Sequence, residues 1–168
     1  MHLDLGIVKE KLYDACAFEM SDFRTQEEST EYAACSFQLN AKKIEHRLSK
    51  ITPTKIGQFV TIWKRNTEGI TVPYSLSDGI DFIIITSRCK EQLGQFIFPI
   101  PILVEKGIVS SERKEGKRGI RVYPPWDKPT SKQALATQKW QQNYFVSIHT
   151  GDLIDIELVQ LLFKTNKK

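Results

Sequence analysis

Long apolar runs are missing from this 168-residue chain. No stretch approaches the roughly 20 residues that a membrane helix needs. The N-terminus, MHLDLGIVKEKL, lacks both the basic start and the apolar core of a secretory leader. These features argue against a membrane partner and give a cytoplasmic location as the expectation. Cysteine is scarce: Cys16, Cys35 and Cys89 are unevenly spaced and form no CxxC pair. Neither a disulfide framework nor a zinc site is indicated, and each cysteine reads as a small buried hydrophobe. There is no GxxxxGK[ST] or GxGxxG stretch to cradle a nucleotide phosphate. His2, His46 and His149 are isolated and give no local support to a Ser/His/Asp or Cys/His nucleophile. Repeats, low-complexity segments and Gly/Ser linkers are also lacking. Residues 1–168 therefore read as one domain, with an acidic segment at 1–28 and a helix and tail at 150–168.

What is present is an ordinary globular composition, 40% hydrophobic and 26% charged, which sets disorder aside. The net charge of +4 is modest but unevenly spread. Residues 1–31 carry eight acidic and three basic side chains, leaving 12 acidic against 21 basic in the remainder. Two windows hold most of the excess. Residues 42–65 contain Lys42, Lys43, Arg47, Lys50, Lys55, Lys64 and Arg65 against Glu45 alone, and residues 113–121 contain Arg113, Lys114, Lys117, Arg118 and Arg121 against Glu115 alone. Brought together, these windows would attract phosphates; kept apart, they are two solvated faces.

Hydrophobic spacing predicts a short helix over the first dozen residues. It predicts a longer one from a Ser29 or Thr30 cap to about Lys50, on Tyr32, Ala33, Phe37, Ile44 and Leu48. GQFVTIWKR alternates like a strand with two apolar faces, as expected near the middle of a sheet. Ile80–Thr86 and Gly94–Pro99 read as two further strands, followed by a short helix ending near Gly107. Gly119–Tyr123 is a fourth strand, stopped by Pro124 and Pro125. Thr130 or Ser131 then caps a helix through Phe145, and DLIDIELVQLLF forms one more before a frayed KTNKK tail. This order predicts an α/β fold, a mixed sheet of about four or five strands flanked by helices.

The GKRGIRVYPPW strand region, the GQFVTIWKR strand and the TQKWQQNYF helix together resemble the MepB family, over a span running from EESTEY to QNYF. The resemblance implies a restriction-endonuclease-like, PD-(D/E)xK-type fold, whose active members cut nucleic acid with Mg²⁺ or Mn²⁺ and whose inactive members only bind it. In an active member an Asp near the start of one strand and a Glu on the next hold the metal, and a Lys two residues beyond the Glu orients the attacking water. Carried onto this sequence, Asp81 stands at the Asp position, Gln95 at the Glu position and Ile97 at the Lys position. Glu45, Glu31 and Glu28 are candidates for a helical acid, and Lys64 for a relocated amine. Gln95 adds no negative charge and Ile97 cannot activate water. Asp81 could equally close a turn, and Gln95, after Gly94, could mark a bulge or satisfy a buried partner.

The expectation from these departures is a nucleic-acid-binding protein with a degenerate metal site at Asp81, Gln95 and Glu45, and with little or no cleavage. DNA ranks ahead of RNA as the partner. Lys50, Lys55, Lys64, Arg65, Lys117, Arg118 and Arg121 are the expected phosphate contacts, because such contacts need no complete ligand set. Trp126, in the YPPW loop beside the second basic window, is the most exposed candidate for stacking on a base, whereas Trp63 and Trp140 read as core. Two alternatives stay open: a Mg²⁺- or Mn²⁺-dependent nuclease with Lys64 as catalytic amine, and a module that binds a small anionic ligand or a protein partner.

Overall fold

The chain begins as predicted, with helix α1 (Leu3–Val8) running on into a π-helical turn at Lys9–Tyr13. In this computed structural model, which describes residues 1–148 and 153–164, α1 buries Leu5 and Val8, and the π-helical turn buries Leu12 and Tyr13. Arg88 donates from Nε to Asp4 Oδ1 at 2.8 Å, fixing the helix to the sheet beneath it. Strand β1 (Met20–Thr25) follows, broken in register between Ser21 and Arg24, with Asp22 in the left-handed region (φ 51°).

The long helix predicted from Ser29 or Thr30 to Lys50 is absent. A single 3₁₀ turn at Thr30–Tyr32 leads instead into a hairpin of β2 (Cys35–Leu39) and β3 (Lys42–Leu48). Phe37, Ile44 and Leu48 lie at helical intervals, but Cys35, Phe37 and Leu39 also alternate with Ser36 and Gln38, and this period-two reading governs burial. The register pairs Leu39 with Lys42, leaving a two-residue turn at Asn40 and Ala41 with φ of 49° and 64°. Positive φ at both central residues is the type I′ geometry that matches the twist of a hairpin.

β4 (Lys50–Ile51), β5 (Gln58–Thr61), β6 (Trp63–Arg65) and β7 (Thr71–Pro73) build two small sheets. GQFVTIWKR is thus two strands, and neither belongs to the main sheet. Its inner residues Val60 and Ile62 enter a core, while Phe59 on the outer side lies 6.3 Å from the Tyr32 ring. Both faces are apolar for that reason, without a central position.

The centre is β8 (Phe82–Cys89) and β9 (Gln92–Pro99), paired antiparallel without a break over eight residues each. β3 runs parallel to β8 on the other side. Helix α2 (Ile100–Glu105), strand β10 (Gly119–Val122), helix α3 (Lys132–Gln141), strand β11 (Phe145–Ser147) and helix α4 (Ile156–Lys164) complete the chain. The main sheet has six strands in the order β1-β2-β3-β8-β9-β11, and β10-β5-β4 form a second sheet. The fold is α/β, as predicted, with more strands than expected. Residues 165–168 of the predicted tail, and His149, lie outside the described residues.

Each face of the main sheet has its own core. Phe82, Ile84 and Ile97 pack under α1 and α4, while Ile83, Ile85, Phe96 and Phe98 pack under α2, the small sheet and Trp140 of α3. Gly94 marks no bulge, since the ladder passes through it evenly. It admits the Phe145 ring of β11, which occupies the space a Cβ would take, against the Val146 carbonyl. Gly94→Ala should therefore destabilise the protein by about 2 kcal/mol, through overpacking in the core. The expected readout is a lower urea midpoint with an unchanged slope.

Candidate anion-binding cleft

Strand alternation assigns the predicted metal residues to different places. Gln95 lies opposite Thr86, on the α1 side of the sheet, and is fully buried. Its amide is completely engaged: Oε1 accepts from the Tyr13 hydroxyl at 2.8 Å, and Nε2 donates to Thr86 Oγ1 at 2.9 Å. Asp81 precedes β8 by one residue and accepts from the Lys43 amide at 2.8 Å. Five strand positions separate its level from that of Gln95, about 16 Å at the usual rise. Glu45 sits on the opposite face of the sheet, where it accepts from Gln26 Nε2 (2.7 Å) and from Tyr74 OH (3.1 Å). The buried Arg47 guanidinium lies 3.5 Å from the Glu45 carboxylate and donates to Tyr74 OH at 2.8 Å. Asp81, Gln95 and Glu45 therefore do not converge, and the metal site implied by the resemblance is not assembled from them. Glu28 and Glu31 stand outside any helical acid position and pair with Arg65 and Lys50.

Thr86 Oγ1 also meets His46 Nε2 at 2.8 Å, and His46 Nδ1 lies 3.5 Å from Cys35 Sγ. This Cys/His contact is not a nucleophile. Burial first, then the Arg47 charge, lowers His46 to about 3, and burial pushes the Cys35 thiol up to about 12. Both groups are neutral at pH 7, and the row from Tyr13 to Cys35 is a structural polar seam.

The predicted cations divide into two groups. Lys50 pairs with Glu31 at 3.1 Å over the Tyr32 ring, Lys64 with Asp78, Arg65 with Glu28, and Arg118 with Glu115 at 3.6 Å. The acidic N-terminal segment thus neutralises part of the first basic window. Lys64 lies in β6 of the separate two-stranded β6–β7 sheet and is paired with Asp78, not with Gln95 of the main sheet. Lys55, Lys117 and Arg121 come together instead, around a cleft of about 540 Å³ between the edge of β10 and helix α3. Lys106, at the end of α2, joins them, and among the described residues no carboxylate lines the cleft. A second hollow of about 310 Å³ continues it past Thr54 and Thr130, sharing Lys55, Arg121 and Tyr123. The α3 N-terminus, capped by Ser131, borders both and adds its positive dipole end.

β10 explains this arrangement. Ile120 and Val122 point into the core, so Arg121, with Tyr123 just beyond the strand, stands on the outer side beside Phe59. The Gln141 side chain of α3 docks on the strand edge: Oε1 accepts from the Tyr123 amide at 2.8 Å, and Nε2 donates to the Arg121 carbonyl at 3.0 Å. Gln138 fastens the same helix to the carbonyls of Pro124 (3.0 Å) and Asp127 (2.9 Å). Trp140 lines the cleft, with Lys106 Nζ 5.5 Å from its ring centroid. Trp126, expected at the surface, is half-buried. Its ring meets Phe145 edge-on at 5.7 Å, and Nε1 is enclosed. The proline pair that stops β10 turns this ring inward. Lys106, Tyr123, Trp140 and Gln141 were not legible as site residues. The only local hint was a TQKWQQ helix face that is polar around a single Trp.

A family model described as MepB-like matches residues 26–147. The crystal structure of MepB is similar to this one with a TM-score of 0.76 and 34% sequence identity, over 89% of this chain and 99% of that one. A comparison with curated proteins yields no match. Among the described residues, no helix is long and apolar enough to cross a membrane.

The seam carries a pH signature. The unfolded His46 titrates near 6.5 and the folded one near 3, so the unfolded chain takes up the extra proton first. Stability is therefore lost as pH falls from 6.5 toward 3, and levels off below that. Between pH 7 and pH 5 the loss attributable to His46 should be about 2 kcal/mol. Urea titrations should show this fall in the wild type, and a shallower pH slope in His46→Gln.

Proposed function

This chain belongs to the MepB-like family, and from that premise and the cleft we propose that it binds nucleic acid and does not cut it efficiently. One observation carries the reading: Lys55 from the first basic window meets Lys117 and Arg121 from the second, with Lys106, around a cleft that no carboxylate among the described residues lines. Four cations around one cleft suit a strand that carries several phosphates, and each contact releases condensed counterions. The half-buried Tyr123 and Trp140 rings at the same place suit bases, since stacking accepts any base. The nucleic-acid partner, DNA ahead of RNA, and a restriction-endonuclease-like ancestry are what the resemblance implies, and binding of this kind needs no metal. Gln95 is five strand positions from Asp81 and on the opposite face from Glu45, and Lys64 is held by Asp78, so a nuclease that needs all four together has no geometric support.

A second reading, a small anionic ligand, rests on the cleft's size: about 540 Å³ lies within the usual range for small-molecule sites.

Fluorescence anisotropy with labelled 20-mers separates the two. Micromolar affinity is expected at low salt, and with four contacts log K should fall against log salt with a slope of about −3. Lys117→Glu and Lys55→Glu should each flatten that slope by about one ion, whereas Asp81→Ala should leave it unchanged. Binding indifferent to salt, or none at 50 mM salt, would overturn the proposal; displacement by mononucleotide as effective as by oligonucleotide would favour the small-ligand reading.

A further inference from the structure

Among the described residues, the outer edge of β10 is covered at both ends and open between them. Register fixes which groups face outward. Ile62 donates to the Arg118 carbonyl at 2.8 Å, so residues 118, 120 and 122 turn their backbone groups toward β5. Lys117, Gly119, Arg121 and Tyr123 therefore turn theirs away. The Lys117 amide is taken by the Ile108 carbonyl at 2.9 Å. At the far end, the Arg121 carbonyl and Tyr123 amide are taken by the two ends of the Gln141 carboxamide. Between these lie the Gly119 amide and carbonyl and the Arg121 amide, and both residues line the cationic cleft.

Gln141 demonstrates what such an edge accepts. A carboxamide presents a donor and an acceptor side by side, and the carbonyl of one residue with the amide two residues on receives both. The Gly119 carbonyl and the Arg121 amide repeat that pair about 7 Å along the strand. Each unmodified nucleobase offers the same adjacent donor and acceptor on its pairing edge, for example N3–H and O4 of thymine. In a duplex that edge is occupied by the opposite base. Gly119 seats the Phe59 ring of β5, which occupies the space a Cβ would take, so this part of the strand carries no side chain of its own.

Resting on the nucleic-acid reading above, we propose that the Gly119–Arg121 backbone reads the pairing edge of one unpaired base, so that the cleft selects single strands over duplex. The surrounding charge decides against a peptide strand, which could use the same backbone pair but leaves four cations unanswered. Lys106, Lys117 and Arg121 hold the flanking phosphates, and Trp140 and Tyr123 flank the base.

The test uses the intact protein and three labelled probes of equal length and charge: oligothymidine, oligo-N3-methylthymidine and an abasic strand, with a duplex for comparison. N3-methylation removes the donor without altering charge, and should weaken binding about five- to tenfold, as expected for one lost hydrogen bond in a desolvated site. Duplex should bind more weakly than oligothymidine at the same salt. A paired substitution isolates the backbone group. Arg121→Pro and Arg121→Gln both remove the guanidinium, but only proline removes the outward amide, which an edge strand tolerates. Arg121→Pro should bind oligothymidine about fivefold more weakly than Arg121→Gln, and the abasic strand equally. If Arg121→Pro does not fold, the methylated probe decides on the wild type. Equal, salt-dependent binding of all three strands would overturn this inference and leave phosphate binding standing. No binding of any strand would overturn both. Displacement of oligothymidine by an uncharged extended peptide would assign the edge to a protein partner and overturn it as well.

Discussion

The uninterrupted pairing of β8 with β9 governs the rest of the molecule. Eight residues of each strand are matched, and both faces of the pair are buried. A polar group placed there must be neutral and fully hydrogen-bonded, or it costs several kcal/mol. Gln95 meets that demand because its two amide ends are matched to a hydroxyl donor and a hydroxyl acceptor. A carboxylate at the same place, with Tyr13 donating and Thr86 already engaged by His46, would be an unpaired buried charge. The position that resembles a metal ligand is thus held by a core requirement, and chemistry is displaced to the periphery.

The periphery is where charge accumulates, and the fold sorts it. Surface ion pairs such as Lys50–Glu31 and Arg118–Glu115 contribute little stability. Their effect is on the field: they cancel the cations that border them and leave Lys55, Lys106, Lys117 and Arg121 as a local excess. A modest net charge of +4 therefore coexists with a concentrated positive cleft. The residues that fasten the walls of the cleft together are neutral. Gln138 and Gln141 fasten α3 to β10 through backbone carbonyls and an amide, which holds the cationic walls at a fixed spacing without adding charge of their own.

The central strands, α2, β10 and the start of α3 were legible because each has one dominant period or a clear boundary signal, such as Ser131 before α3 or Pro124 after β10; the helix expected through Phe145 ends instead at Gln141, and Phe145 opens β11 to cover the edge of β9. The β2–β3 hairpin was not, because Phe37, Ile44 and Leu48 satisfy both periods. Asn40 was the only local token of a turn, and Ala41 in the left-handed region has no sequence signature. Two of the three residues that bring the basic windows together, Lys117 and Arg121, sit on or beside a strand that was read correctly. Lys106 and Gln141 reach the cleft only through tertiary packing, which no local pattern encodes. The buried Arg47 is of the same kind: it lies in a basic window, yet Tyr74 and Glu45 draw it inward.

The interruption in β1 bears on how the protein behaves at high concentration. The six-stranded sheet ends there, and a regular terminal strand would offer a ladder to any other unpaired strand. Asp22 in the left-handed region shifts the register between Ser21 and Arg24, so the outward donors and acceptors no longer keep the repeat a second sheet could match. At the other end β11 spans three residues, too short to template an extended partner. The main sheet thus resists edge-to-edge stacking by geometry at one border and by brevity at the other.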